Sequence, residues 1–243
     1  GHKSGDVNLM LPVAILAGGL ATRLRPITKT IPKALVEVAG RPFICRQLDY
    51  LRTQGIRRVV LCLGYLGEMI QDVVGDGSQF DLDIAYSPDG PVLLGTGGAL
   101  KQALPLLDEQ FFVLYGDSFL PVDFAPVERF FLESGKAALM TVLENGDRWD
   151  KSNVLFHDDE LVEYNKHAPR PEMSFIDYGL GLLTDRSLEP YPSGQPFDLA
   201  EVYHTLSLKG QLAGYEVHER FYEIGSHGGL KETEAYFMRE GKI

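Results

Sequence analysis

Short apolar runs alternate with amphipathic stretches through the first two thirds of this chain, and that alternation constrains its fold more than any other feature. Pro12 to Ala17, Arg58 to Leu63 (RVVLCL), Leu82 to Tyr86 and Phe111 to Tyr115 (FFVLY) read as buried strands. Between the first two, Pro42 to Gln54 puts Ile44, Leu48 and Leu51 on one helical face. Pro42 suits the first turn of that helix and Gly55 its C-terminal cap. Leu66 to Val74 and Ala99 to Leu107 read as further helices, the latter shortened by Pro105. Val127 to Glu133 and Ala137 to Val142 repeat the helix–strand unit. Strands separated by helices predict a mostly parallel sheet covered on both faces.

The later part of the chain is richer in strands. Asn153 to Phe156, Glu160 to Tyr164 and Phe175 to Leu183 predict a meander. A helix at Leu199 to Ser207, a strand at Leu212 to Val217 and a helix at Gly229 to Arg239 follow. No linker, repeat or low-complexity stretch interrupts residues 10–243, so one α/β domain is expected. Its later half forms a subregion over the carboxyl ends of the strands, where open α/β sheets bind ligands. Gly1 to Leu9 has no apolar signal core and reads as a remnant or disordered leader before a native start near Met10.

Composition excludes several classes of function. The 243 residues carry a formal charge of −11, the wrong sign for a general nucleic-acid binder. No apolar run approaches the roughly 20 residues of a membrane span. The two cysteines, Cys45 and Cys62, lie in apolar stretches, which fits a reducing compartment and argues for a cytoplasmic protein.

The most informative segment is Leu16 to Pro42, LAGGLATRLRPITKTIPKALVEVAGRP. A strand ends at Ala17 and Gly18–Gly19 follow, allowing a tight turn and close approach of backbone N–H groups to a ligand. Arg23, Arg25 and Lys33 lie just beyond. Backbone donors with Arg and Lys are what a polyphosphate needs. The segment has neither the GxxxxGK[ST] of a P-loop nor the GxGxxG of a dinucleotide site.

This segment resembles the signature of the sugar-1-phosphate nucleotidylyltransferases, (L)AGGxGTRLxPxT…PKxLxxVxGxP. It stands here as Leu16-Ala17-Gly18-Gly19, Thr22-Arg23-Leu24-Arg25-Pro26-Ile27-Thr28, Pro32-Lys33 and Gly40-Arg41-Pro42. The resemblance implies a Rossmann-like three-layer α/β/α fold with a strand-rich sugar-binding subregion. It implies the reaction of an NTP with a sugar 1-phosphate to give an NDP-sugar and pyrophosphate. Leu16, Ala17, Gly18, Gly19 and Thr22 would then bind the nucleotide. Arg23 would grip the leaving pyrophosphate and Lys33 the α-phosphate. Ala21 stands where the family usually has Gly.

Asp117, in YGDS after the fourth strand, resembles the family's metal-binding aspartate, with Mg²⁺ the expected ion. The family's second metal ligand lies in a motif like WxDxGTPxxL. Phe221-Tyr222-Glu223-Ile224-Gly225-Ser226-His227-Gly228-Gly229-Leu230 resembles it, with Glu223 at the aspartate position and one methylene longer. Gly95-Thr96-Gly97-Gly98-Ala99 resembles the LGTxGAL segment of the mannose- and heptose-phosphate branches. That likeness implies Asp89, Gly95 and Thr96 beside the nucleotide and Gly97 and Gly98 beside the sugar phosphate. Glu163-Tyr164-Asn165-Lys166 resembles the family's E-K-P segment, implying Glu163 and Lys166 as sugar-phosphate ligands, with Asn165 where Glu is common. Asp177-Tyr178-Gly179 stands in place of Asn-Ala-Gly, which makes Asp177 and Gly179 sugar-pocket residues and points away from a glucose-type acceptor.

Other features carry structural readings. Asp81-Leu82-Asp83 fits the DxD metal pattern of glycosyltransferases, but it opens a strand and reads as a solvated edge. His157, His167, His204 and His218 show no metal spacing. Trp149, in the polar loop GDRWDKSN, reads either as a lid or as a rim aromatic.

The expected activity is therefore Mg²⁺-dependent nucleotidyl transfer, with GTP and a manno-configured hexose or heptose 1-phosphate favoured. Its partners are the two small-molecule substrates, with no nucleic acid or membrane and a homodimer allowed. Alternatives are a uridylyl- or cytidylyltransferase, including the phosphocholine type, and a non-catalytic nucleotide-sugar-binding regulatory protein.

Overall fold

A computed structural model describes residues 9–19 and 22–241. Ala21, the departure from the family's glycine, lies outside the described residues. The chain runs β1 (Val13–Ala17), β2 (Glu37–Val38), β3 (Arg41–Pro42), α1 (Phe43–Thr53), β4 (Arg58–Leu63) and α2 (Gly67–Val74). It continues through β5 (Asp83–Pro88), α3 (Gly95–Ala103), β6 (Gln110–Tyr115), β7 (Ser118–Phe119), α4 (Phe124–Ser134) and β8 (Ala138–Glu144). The remainder is β9 (Val154–His157), β10 (Glu160–Tyr164), β11 (Phe175–Thr184), α5 (Leu199–Leu208), β12 (Leu212–Val217), β13 (Tyr222–Glu223) and α6 (His227–Arg239).

β1 lies at the centre of the parallel part of the sheet. It pairs with β4 and with β6, so that Val13 faces Val59 on one side and Phe112 on the other. β5 extends this part beyond β4. The direction changes at β11, which runs antiparallel to β6 and to β8, while β12 lies parallel to β8. The β9–β10 hairpin joins the sheet through Val154 opposite Phe175. The predicted meander is thus the antiparallel wing of one nine-stranded sheet among the described residues.

Side-chain alternation along the strands divides the core into two layers. Val13, Ile15, Val59, Leu61, Phe112 and Leu114 pack with Ile44, Leu48 and Leu51 of α1, Ile70 of α2 and Phe124 of α4. Ala14, Leu16, Val60, Cys62, Phe111 and Val113 pack on the opposite face with Leu100 of α3 and Leu199 and Tyr203 of α5. This is the expected three-layer arrangement. A third cluster lies to one side. There α6 (Tyr236, Phe237) and β13 (Tyr222) cover Leu24, Val36, Val38, Phe43 and Phe119.

Three local expectations change. α3 begins at Gly95, four residues before its expected start, although three of its first four residues are glycine. Tertiary contact overrides their weak helix preference: Gly97 N and Gly98 N both donate to Phe197 O. The two-residue ladders β2–β3 and β7–β13 were not foreseen, being too short to show a period. Asp81 precedes β5 with a left-handed φ of 56° and pairs with Arg52 at 2.7 Å, so only Asp83 of the DxD stands on the strand. Both acids lie at the amino end of β5, away from the carboxyl ends that bear the glycine loop.

Gly181 of β11 lies beneath α5, where an added Cβ would overlap the Tyr203 hydroxyl and approach Leu139 O at 3.2 Å. Overpacking of this kind costs about 1–3 kcal/mol. Gly181→Ala is expected to lower the denaturant midpoint accordingly without changing the slope of the transition, measured by urea unfolding.

Candidate active site

The carboxyl ends of β1 and β6 open onto two adjoining cavities. The first, about 280 Å³, is lined by Leu16, Ala17, Gly18, Gly19, Lys33 and Asp89, with Gly95, Thr96, Tyr115 and Asp117 completing its wall. Gly18, Gly19, Gly95 and Gly116 bring bare backbone to its lining. A Cβ on Gly64 would stand 3.2 Å from Gly18 Cα, so the ends of β1 and β4 touch with no side chain between them. Gly19 adopts φ +99°, which favours glycine. Pro32 is extended and leads into the turn that begins at Lys33. Ala34, Leu35 and Val36 are buried behind that turn, which aims Lys33 at Asp117: Nζ lies 3.1 Å from Oδ2. Asp89 follows β5 and accepts from Leu94 N at 3.0 Å. Burial pushes its carboxyl up, and that N–H opposes the shift.

The second cavity, about 440 Å³, is lined by Arg23, Lys166, Asp177, Gly179, Asp198 and Glu223, with aromatic walls at Trp149, Tyr164 and Phe221. It shares Thr96, Tyr115 and Asp117 with the first. Asp177 Oδ1 accepts from Gly179 N at 2.9 Å, and Asp177 N donates to Asn153 Oδ1 at 3.1 Å. Burial pushes the Asp177 carboxyl up to about 6, against the Gly179 N–H and the charge of Lys166. Lys166 lies 3.8 Å from Asp198. The loop bearing Trp149 is tied by hydrogen bonds: Asn145 bonds Asp150 O, Ser152 Oγ and Trp149 N, and Arg220 stacks 4.1 Å over the indole. Trp149 stands in the wall of the cavity.

The cavities meet where β7 pairs with β13. Glu223 faces Ser118 in that ladder, and Ile224 N donates to Asp117 O at 2.9 Å. Arg23, Asp117 and Glu223 converge on Gly225. A Cβ there would lie 2.9 Å from Arg23 Nη2, 3.1 Å from Glu223 Oε2 and 3.3 Å from Asp117 Oδ2. The longer Glu223 side chain folds over the start of α6, accepting from Gly225 N at 2.6 Å and Ser226 Oγ at 2.7 Å. A Mg²⁺ ion asks for oxygen ligands and is commonly held by one or two carboxylates with water and phosphate oxygens. Asp117 and Glu223 supply that donor set, and each carboxylate oxygen keeps a lone pair beyond its present bond.

Four expected site residues are placed differently. Gly97 and Gly98 are buried under Phe197 and their N–H groups bind its carbonyl, so they pack α3 against the segment before α5 and do not line either cavity. Glu163 pairs with Arg170 at 3.0 Å and stays outside both linings. Thr22 opens an exposed turn whose carbonyl accepts from Arg25 N. Asn165 accepts from Ala168 N at 2.9 Å, closing a turn before Lys166 reaches the cavity wall. Sequence reading missed Gly64 and Gly225. Each is needed for a contact between distant segments, and no local spacing announces such a contact.

Two outcomes follow from this geometry. Gly225→Ala places a methyl among Arg23, Asp117 and Glu223 and is expected to cut turnover by about 100-fold, the scale of an ångström-sized misplacement, in an assay of the reaction that the sequence resemblance implies. Asp177 binds its proton more tightly folded than unfolded. Its ionisation therefore costs stability, and the cost sets in as pH rises from the ordinary carboxylate range through about 6. Asp177→Asn removes that cost. By calorimetry it should melt about 2–5 °C above wild type near pH 8, with little gain near pH 4.

A family model described as nucleotidyl transferase matches residues 13–152. An N-acetylmuramate α-1-phosphate uridylyltransferase of Neisseria meningitidis is 31% identical over 91% of this chain and 96% of its own. A D-glycero-α-D-manno-heptose 1-phosphate guanylyltransferase of Campylobacter jejuni is 31% identical over 87% of this chain and 93% of its own. The crystal structure of HddC from Yersinia pseudotuberculosis complexed with GMP-PN superposes with a TM-score of 0.74 at 27% identity, covering 94% of this chain and all of that one. The chain belongs to the nucleotidyl transferase family, whose named relatives here are sugar-phosphate nucleotidyltransferases.

Proposed function

We propose that this chain transfers a nucleotidyl group from an NTP to a sugar 1-phosphate, releasing pyrophosphate, with Mg²⁺ as its cofactor. The observation that carries the reading is the convergence of Arg23, Asp117 and Glu223 where a glycine-lined cavity meets a polar one. A phosphate oxygen of the acceptor attacks the α-phosphorus in line, so the protein needs no covalent nucleophile. It must align two anions and offset their repulsion. Leu16 to Gly19 receive the nucleotide against backbone, and Lys33 stands ready for its α-phosphate. Arg23 faces the leaving pyrophosphate, and Lys166 meets the acceptor phosphate from the other cavity. Asp117 and Glu223 would hold Mg²⁺, which when bound supplies positive charge to the phosphate oxygens. The buried free thiols Cys45 and Cys62 support a reducing, cytoplasmic setting.

Guanine is the base we favour. Asp89 is an acceptor at the cavity wall, and guanine presents N1–H and N2–H donors side by side. Uracil presents one N–H between two carbonyl oxygens. The HddC structure with GMP-PN and the heptose guanylyltransferase support the same choice, and with it a manno-configured acceptor. The Neisseria relative favours a second reading, transfer from UTP. Pyrophosphate release, measured for four NTPs against neutral, amino and carboxylated sugar 1-phosphates and phosphocholine, decides between them. GTP with a manno-configured acceptor is expected to lead. Nucleotide binding with no release in any combination would instead fit a regulatory protein.

In the productive combination Lys33→Ala is expected to lower turnover by at least about 100-fold, the loss seen when one electrostatic stabiliser is removed. A rate near wild type would remove Lys33 from the mechanism.

A further inference from the structure

The turn that carries Asp117 is held from behind by a side chain outside both cavities. Gln47 lies on α1, is 4% exposed, and lines neither cavity. Its Nε2 donates to Tyr115 O at 3.0 Å and to Ser118 O at 2.8 Å. Those two carbonyls flank Gly116–Asp117, so one amide group brackets the turn. Backbone bonds hold the same turn at two further polar groups: Gly116 N donates to Leu16 O at 2.8 Å, and Asp117 O accepts from Ile224 N at 2.9 Å. Ser118 Oγ donates to Asp117 Oδ1 at 3.3 Å, on the carboxylate itself; Gln47 is the side chain that holds the backbone of the turn, and hence the part of that bracing a substitution can remove.

The orientation of the amide follows from its surroundings. Two carbonyl oxygens can accept only from the nitrogen end, so Oε1 must point the other way. There it is buried without a hydrogen-bond partner, the one such side-chain atom among the described residues. A buried acceptor without a partner is unfavourable, and proteins seldom retain one without reason. The reason offered by the geometry is the pair of donors. Tyr50 of α1 and Gln54, which caps it, hold the chain beyond the turn: Tyr50 Oη donates to Val122 O at 2.6 Å, and Gln54 Oε1 accepts from Phe124 N at 3.0 Å. Residues 47, 50 and 54 share one helical face, so α1 acts as a rail for the segment after β6. Only Gln47 of the three brackets Asp117.

We propose that Gln47 is a positioning residue for nucleotidyl transfer: by tying Tyr115 O to Ser118 O it fixes the direction in which the Asp117 carboxylate leaves the turn. Lys33 then meets that carboxylate from the front while Gln47 braces the backbone from behind. The inference rests on the role of Asp117 given under Proposed function.

The test compares Gln47→Met, which keeps the length of the side chain and loses its donors, with Tyr50→Phe and Asp117→Asn. In the ligand-free protein, hydrogen exchange is read at Gly116 to Phe119 and at β4. Gln47→Met is expected to speed exchange in the turn about tenfold or more and leave β4 unchanged, because local opening is governed by local bonds. In the productive substrate combination its kcat should fall about 10- to 100-fold with the nucleotide KM little changed, as expected for a displaced group. Tyr50→Phe breaks a bond of the same kind further along and should keep wild-type kcat. Unchanged exchange at Gly116 to Phe119 overturns the bracket itself. Faster exchange with wild-type kcat, where Asp117→Asn is inactive, overturns its part in the reaction. Equal losses of kcat in Gln47→Met and Tyr50→Phe also overturn it, since general loosening of α1 would then suffice. Wild-type kcat in Asp117→Asn would refute the role of Asp117, and with it the catalytic purpose given to Gln47, while exchange still judges the bracket.

Discussion

The ladder between Ser118–Phe119 and Tyr222–Glu223 is only two residues long, and the site depends on it. It brings the late acidic residue beside Asp117, and the Ile224 N–H to Asp117 carbonyl bond continues it. Neither segment would hold this position alone, because two residues of strand carry too little pairing to be stable. The third core cluster supplies the rest. Phe119 and Tyr222 project into it from the ladder, and Tyr236 and Phe237 close it from α6. Leu24, Val36 and Val38 enter the same cluster from the signature loop, flanking Arg23 and Lys33 in sequence. One small hydrophobic cluster therefore orients the cations of the loop and the carboxylates of the ladder together.

The large sheet has a different task. Its parallel part places the ends of β1 and β6 side by side, and its antiparallel wing supplies Asp177 and Gly179 from β11. The change of strand direction at β11 is what allows two cavities to share a wall at Tyr115 and Asp117. Charge is managed locally. A chain with net charge −11 keeps Lys33, Arg23 and Lys166 at the mouths of these cavities, two of them within 4 Å of an aspartate. Both pairs reach solvent, the Lys166–Asp198 pair more than the Lys33–Asp117 pair, so the cations stay available to a phosphate.

The strands and most helices were legible because burial on two faces writes a clear apolar pattern; Arg58–Leu63 and Leu212–Val217 coincide with their expected bounds. The glycine loop and Lys33 were legible because a phosphate site needs small residues and cations close together in sequence. Glu223 was found by its motif, but its neighbourhood was not. Whether a glutamate meets Asp117 depends on a ladder that no periodicity marks. Gly97 and Gly98 misled for a related reason. Glycine permits close approach, and the sequence does not say whether the approaching group is a ligand or Phe197. Gln47 was invisible, since a glutamine on an amphipathic helix reads as solvated until its two carbonyl partners are known.

The composition of the third core cluster also sets an order of assembly. Leu24, Val36, Val38 and Phe43 are synthesised well before the aromatic residues that cover them, Tyr222, Tyr236 and Phe237. A nascent chain can complete the β1–β4–β6 layers while this flank still lacks its cover. This flank then closes after those layers, and for that interval its early apolar side chains are exposed to water and to neighbouring chains.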